Sequence, residues 1–135
     1  MTFVIDASVM ASIVLPDESS VKADRVASIL DAEGAEVPAF FLIEVANTLL
    51  LAVRRRRIDE ETWRRLLESL TTLKLRVDAE THAHAWTTIS DVACRYQLTA
   101  YDAAYLELAQ RKALSLATLD SRLAEAARAA GVELL

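Results

Sequence analysis

Cysteine, glycine and proline are nearly missing from this chain: 135 residues hold one Cys, two Gly and two Pro. A lone Cys94 excludes an internal disulfide and suits a reducing cytosol. On its helix it is expected to serve as a small apolar residue. So little turn-forming material favours regular elements joined by short loops. Membrane-spanning runs are also lacking, since no stretch reaches the roughly 18 apolar residues a span needs. The longest, "VPAFFLIEVANTLLLAV", is interrupted by Glu44 and Asn47. The first apolar stretch has no basic segment ahead of it and is broken by Asp6, so no secretory leader is expected. Positive charge is not in excess either. The net charge of −5 argues against nonspecific coating of nucleic acid. It leaves room for a nucleic-acid enzyme whose acids gather divalent cations.

What is present reads as one soluble globular unit over residues 1–135, with 53% hydrophobic and 26% charged residues. A chain of this length can bury roughly 68% of its unfolded surface. No repeat, low-complexity segment or linker divides it. Helical and strand-like periods alternate, which predicts an α/β fold around a largely parallel sheet. Phe3-Val4-Ile5 reads as a strand that stops on Asp6, and "SVMASIVL" follows with helical spacing. "PDESSVKADRVASILDAEG" predicts a second helix closed by Gly34, and a short strand at Glu36-Val37 precedes Pro38. A third helix over 39–56 is apolar on most of its circumference, as expected if part of its burial comes from another chain. Asp59 is placed to cap a helix carrying the stripe Trp63, Leu66, Leu67 and Leu70. "LKLRV" alternates like a strand with one wet face. Helices over 79–96 and 99–112, a strand in "LSLATL", a helix in "SRLAEAARAAG" and a last strand in "VELL" complete the pattern.

Four acids stand in apolar company. Asp6 and Asp120 each end a strand and begin a helix. The plain reading is helix capping, but strand ends in open α/β sheets are also where sites form. Glu44 lies within "AFFLIEVANTLLLAV", where an unpartnered carboxylate would be costly or become protonated. Asn47 and Thr48 share its helix face; the alternative is a solvent-facing polar stripe. Asp102 in "LTAYDAAYLELA" follows Thr99 at capping-box spacing, although Glu or Gln is the usual partner there. Glu107 lies on the same helix but faces elsewhere. Together the four offer hard oxygen ligands suited to Mg²⁺ or Mn²⁺. Converging carboxylates repel by roughly 4 kcal/mol per pair at 4 Å and an effective dielectric of 20, so a cation between them is expected.

"VIDASV", "EVANTL", "LTAYDAAYLELA" and "LATLD", in this order and spacing, resemble the PIN-domain nucleases, and more narrowly the VapC-type toxins of bacterial toxin–antitoxin pairs. The resemblance spans essentially the whole chain. It implies a three-layer α/β/α sandwich and a divalent-metal endoribonuclease that hydrolyses RNA. Carried over by motif, Asp6, Glu44, Asp102 and Asp120 match the acidic quartet that binds metal and catalyses. Ser8, Asn47 and Thr118 match polar positions that support it by hydrogen bonding. The resemblance further implies a homodimer, a VapB-type antitoxin whose tail blocks the site, a structured RNA target of the tRNA or rRNA class, and a cytoplasmic location. The expected products carry a 5′ phosphate, and neither a 2′-hydroxyl nor a catalytic histidine is needed.

Other features have plainer readings. The run Arg54 to Arg57 could grip an RNA backbone, but at a helix end it also complements the dipole, and that reading is favoured. His82 and His84, two apart on a helix, point about 200° apart and cannot share a metal from one face. Trp63, Trp86 and Tyr96 fall on predicted core stripes, which leaves Tyr101 as the exposed aromatic. A haloacid-dehalogenase-type phosphohydrolase would want an acid where Ser8 stands. A receiver domain would want paired acids after the first strand. The remaining rival is an inert PIN-like binding module whose acids only cap helices and whose apolar third helix serves an obligate partner.

Overall fold

The computed structural model describes residues 1–135. Four short strands form one parallel sheet: β1 (Phe3–Ile5), β2 (Ala35–Val37), β3 (Leu75–Val77) and β4 (Leu116–Ala117), in the order β3-β2-β1-β4. The register pairs Phe3 with Ala35, Val4 with Leu116, and Glu36 with Arg76. From β1 to β3 the chain steps in one direction across the sheet, and from β3 to β4 it returns past β2 and β1. Right-handed crossovers therefore put the two sets of helices on opposite faces, giving the α/β/α sandwich. On one face lie α1 (Ala7–Val14), α2 (Val21–Glu33), α3 (Phe41–Arg54) and α4 (Glu60–Leu70). On the other lie α5 (Thr81–His84), α6 (Thr88–Tyr96) and α7 (Ala100–Lys112), with α8 (Ser121–Ala129) following β4 and packing on α7.

Local chemistry sets the boundaries. Asp6, Ser20, Asp59, Thr99 and Asp120 each accept a backbone N–H from the first turn of the helix they precede, satisfying donors with no intrahelical partner. Pro16 stops α1 and opens a 3₁₀ turn, Pro16–Glu18, so the second predicted helix starts only at Val21. Gly34 closes α2 at φ 76°, and a Cβ there would meet the Lys74 carbonyl oxygen at 2.9 Å, so the turn into β2 demands glycine. The third helix is shorter than predicted because the residues after Pro38 form a turn before Phe41. Strand β4 covers two residues of "LSLATL", and "VELL" contributes a single bridge, Leu116 to Leu134.

The predicted helix over 79–96 is broken into α5 and α6. That break corrects one expectation: Trp86 lies in the intervening turn, 94% exposed, and not on a core stripe. Trp63 and Tyr96 do pack against the core. Cys94 sits on α6 but is exposed. Arg57 binds Asp17 through two hydrogen bonds of 2.9 and 2.8 Å and Glu18 at 2.5 Å, tying the end of α3 to the 3₁₀ turn. No helix is long and apolar enough to cross a membrane.

The core gathers Phe3, Val4, Ile5, Met10, Leu30 and Phe41 from one side with Tyr105, Leu106, Leu108 and Leu123 from the other. A second, polar layer lies between α7 and the β2–β3 edge. Buried Glu36 binds Lys112 at 2.9 Å and Arg76 at 3.1 Å. Buried Asp78 binds Arg111 at 2.6 Å, and Arg111 also binds buried Glu107 at 2.8 Å. Each of these three acids has a cation, as burial requires.

Candidate active site

The sheet order reverses between β1 and β4, because β1 leads away to β2 while β4 arrives on its other side. Such a switch point opens a crevice beyond the carboxyl ends of the two strands. Asp6 follows β1 directly, and its N–H donates to the Ala117 carbonyl at 3.2 Å. The strand ladder thus holds the Asp6 backbone until its side chain turns into the crevice. Asp120 begins α8 three residues beyond β4.

Two hydroxyls lace these corners together. Ser8 Oγ donates to Asp6 Oδ1 at 2.6 Å and accepts the Leu119 N–H at 3.0 Å. Thr118 Oγ1 donates to Asp6 Oδ2 and accepts the Asp120 N–H at 3.0 Å. The Val9 N–H completes the set on Asp6 Oδ1 at 3.0 Å. Lys22 reaches over from α2 to the Thr118 carbonyl at 2.8 Å, touching the corner but no carboxylate. Asp6 and Asp120 are therefore both helix caps and crevice acids, so the two sequence readings are compatible.

Glu44 on α3 and Asp102 on α7 approach from the flanking layers. The charge of Asp102 feels those of Asp120, Asp6 and Glu44, so all four acids share one locale. Glu44 is half-buried, and Tyr105 Oη donates to its Oε1 at 2.5 Å. Tyr105 was not a sequence candidate. Its place three residues after Asp102, on the same helix face, is the signal that could have revealed it. Asn47 is exposed on α3 and makes no side-chain hydrogen bond, while Thr48 donates to the Glu44 carbonyl at 3.1 Å. The structure thus joins Ser8 and Thr118 to the acids by hydrogen bonds but not Asn47. Glu107 points into the polar layer, as expected.

The electrostatics are unfavourable as they stand. Burial pushes the Asp6 carboxyl above its ordinary range, only partly countered by Ser8, Thr118 and Val9, and Asp120 adds to the rise. Asp102 is raised by burial first and then by its three acidic neighbours. Tyr105 is driven far up by burial and by Glu44, so it stays a proton donor. Asp6 is only 5% exposed, yet none of the four acids has a salt-bridge partner. The contrast with Glu36, Asp78 and Glu107 is the informative point. Those buried acids were each given Lys or Arg; the crevice acids were given hydroxyls, amides and one another. An all-oxygen donor set that lacks positive charge fits a hard divalent cation. No three of the acids meet tightly enough to ligate one ion together, so an ion here would be held in part through water.

Comparison with known proteins bears on family and fold. The family model described as PIN domain matches residues 3–129. Ribonuclease VapC3 of Pyrobaculum aerophilum is 33% identical over 125 residues, 93% of this chain and 94% of that protein. Among solved structures, FitAcB from Neisseria gonorrhoeae superposes with a TM-score of 0.69 at 17% identity, covering 99% of this chain and 96% of the other. PAE2754 from Pyrobaculum aerophilum gives 0.64 at 21% identity, with 93% and 84% covered. A toxin–antitoxin complex from Klebsiella pneumoniae gives 0.59 at 15%, with 89% and 88% covered. At these identities the structural matches speak for the fold.

Proposed function

The chain belongs to the PIN-domain family, in its VapC-type ribonuclease branch, and from that premise we propose that it is the toxin of a toxin–antitoxin pair, an endoribonuclease using Mg²⁺. The observation that carries the reading is the group of four crevice acids without a cationic partner. Asp6, Asp102 and Asp120 would hold the ion directly or through water, with Glu44 completing the site or orienting the attacking water. Mn²⁺ would substitute. When bound, the ion lowers the pKa of a water and offsets charge on the phosphoryl oxygens.

The chain's own residues supply the geometry. Ser8 and Thr118 engage one Asp6 oxygen each, so the carboxylate cannot rotate. Thr118 also fixes the Asp120 backbone, setting the spacing between the two strand-end acids. Tyr105 occupies Glu44 Oε1 and leaves Oε2 to accept a proton from water at hydrogen-bond distance. No histidine is needed: His82 is exposed, and His84 lies 3.9 Å from Glu107 in the polar layer. The products are 5′-phosphate ends.

A VapB-type antitoxin and a second copy of the chain are the proposed partners, a structured RNA of the tRNA or rRNA class the proposed substrate, and the cytoplasm the proposed location. Exposed Leu42 and Ile43 on α3 support a partnered face. So does the apolar groove of about 330 Å³ between α3 and α4, lined by Phe41, Val45, Leu67 and Leu70. The test is expression of wild type and Asp102→Asn without antitoxin, with mapping of RNA ends. Growth arrest with new 5′-phosphate ends in wild type alone supports the reading. Uncut RNA in both would return the chain to the inert binding module.

A further inference from the structure

A row of three aromatic rings starts at Tyr105, the partner of Glu44. Phe40, at the start of α3, meets Tyr105 edge-on with centroids 5.6 Å apart and planes at 74°. It meets Tyr101 in the same way, at 5.4 Å and 71°. The three rings run from buried to exposed. Tyr105 is buried and bonded to Glu44; Phe40 is half-buried; Tyr101, adjacent to Asp102, is 63% exposed. Core packing accounts for the inner two but not for the outer one. An exposed aromatic braced by a second ring is stiff as well as accessible, so little ordering entropy is lost when a flat group lies against it.

Charge decides what that group is. Strand-binding grooves ordinarily combine basic side chains with aromatic platforms. Here the four acids have no basic partner, and the chain carries a net charge of −5. Lys22, which reaches this corner, is engaged with the Thr118 carbonyl. The acids grip a phosphate only through a bound cation, so contact with a base is a separate source of affinity. We propose, resting on the ribonuclease reading above, that Tyr101 braced by Phe40 is a stacking platform for an unpaired nucleobase next to the scissile phosphate.

The test is equilibrium binding of labelled oligoadenylate and of an abasic oligomer of equal length and charge to the full chain, with Ca²⁺ as the added ion. Wild type is expected to prefer oligoadenylate by about 5- to 150-fold, the range for one stacked base. Tyr101→Ala is expected to erase the preference and Tyr101→Trp to restore it. The exposed ring contributes little to the core, and a thermal melt checks that the Ala variant folds. Equal preference in wild type and Tyr101→Ala overturns the proposal, as does a wild type that binds both oligomers alike or neither. The ribonuclease reading is judged separately, by Mn²⁺-dependent cleavage of total RNA in wild type against Asp102→Asn. Cleavage without a Tyr101 effect removes the platform and leaves the nuclease standing.

Discussion

Replacing Asp102 by Asn is expected to stabilise the metal-free protein while abolishing cleavage. Asp102 is the cleanest of the four acids to perturb, because Asp6 and Asp120 also cap helices and Glu44 is held by Tyr105. Its carboxyl is raised by burial and by Asp120, Asp6 and Glu44, with only the Thr99 hydroxyl acting the other way. One like-charged pair about 7 Å apart costs about 0.6 to 2.4 kcal/mol as the effective dielectric falls from 80 to 20. Asp102 has three such neighbours but is half-exposed, and discounting for solvent screening leaves about 1–2 kcal/mol. For a chain of this length that is a rise in Tm of about 3–8 °C. Circular dichroism melts in EDTA measure it directly. Added Mg²⁺ is expected to reverse the order: at 100 times its Kd the ion contributes about 2.7 kcal/mol to wild type and far less to the variant. A variant less stable than wild type in EDTA would refute the reasoning, since Asp102 would then be an ordinary structural carboxylate.

Tyr105→Phe keeps the ring in its core position and removes only the donor to Glu44. Stability should fall by about 1.5–3 kcal/mol, as for a hydrogen bond to a charged group, and steady-state kinetics should show about a tenfold lower kcat with KM little changed. Thr118→Val removes a donor to Asp6 and an acceptor for the Asp120 N–H together; urea melts should show a loss of about 1–3 kcal/mol, with weaker Mn²⁺ binding by calorimetry. In the metal-free chain, Asp6 and Asp102 titrate above their unfolded values, so the native state holds more protons and stability falls as pH rises through their folded pKa values. Asp78 runs the other way: although burial opposes it, Arg111, the Glu80 amide and Thr81 hold its carboxyl low, and its contribution disappears on further acidification. Melts in EDTA between about pH 4 and 8 should therefore peak on the acid side of neutrality, and saturating Mg²⁺ should remove the decline toward pH 8.

Alternating periods made the α/β class legible in the sequence, and Asp6, Asp59, Thr99 and Asp120 marked helix starts because short polar side chains serve backbone amides locally. The meeting of β1 and β4 could only be suspected, since strand order follows from crossovers and not from any one segment. Trp86 misled because helical periodicity continues through 79–96 while the chain turns at Ala85–Thr87. The partners of Glu36 and Asp78 were hidden for a related reason. Lys112 lies 76 residues from Glu36, and Arg111 lies 33 from Asp78. That network is what makes the unpaired state of the crevice acids informative, and it becomes visible only in three dimensions. Tyr105 escaped notice because a tyrosine on an apolar helix face reads as core, which it also is.

The most direct measurement is an anomalous difference map from crystals soaked in Mn²⁺. A peak in the crevice beside Asp6, Asp102 and Asp120, absent in Asp102→Asn crystals, is the predicted result. Full Mn²⁺ occupancy elsewhere with an empty crevice, or a peak unchanged by the substitution, would contradict the claim that these acids lack a counter-charge because they are built to hold a cation.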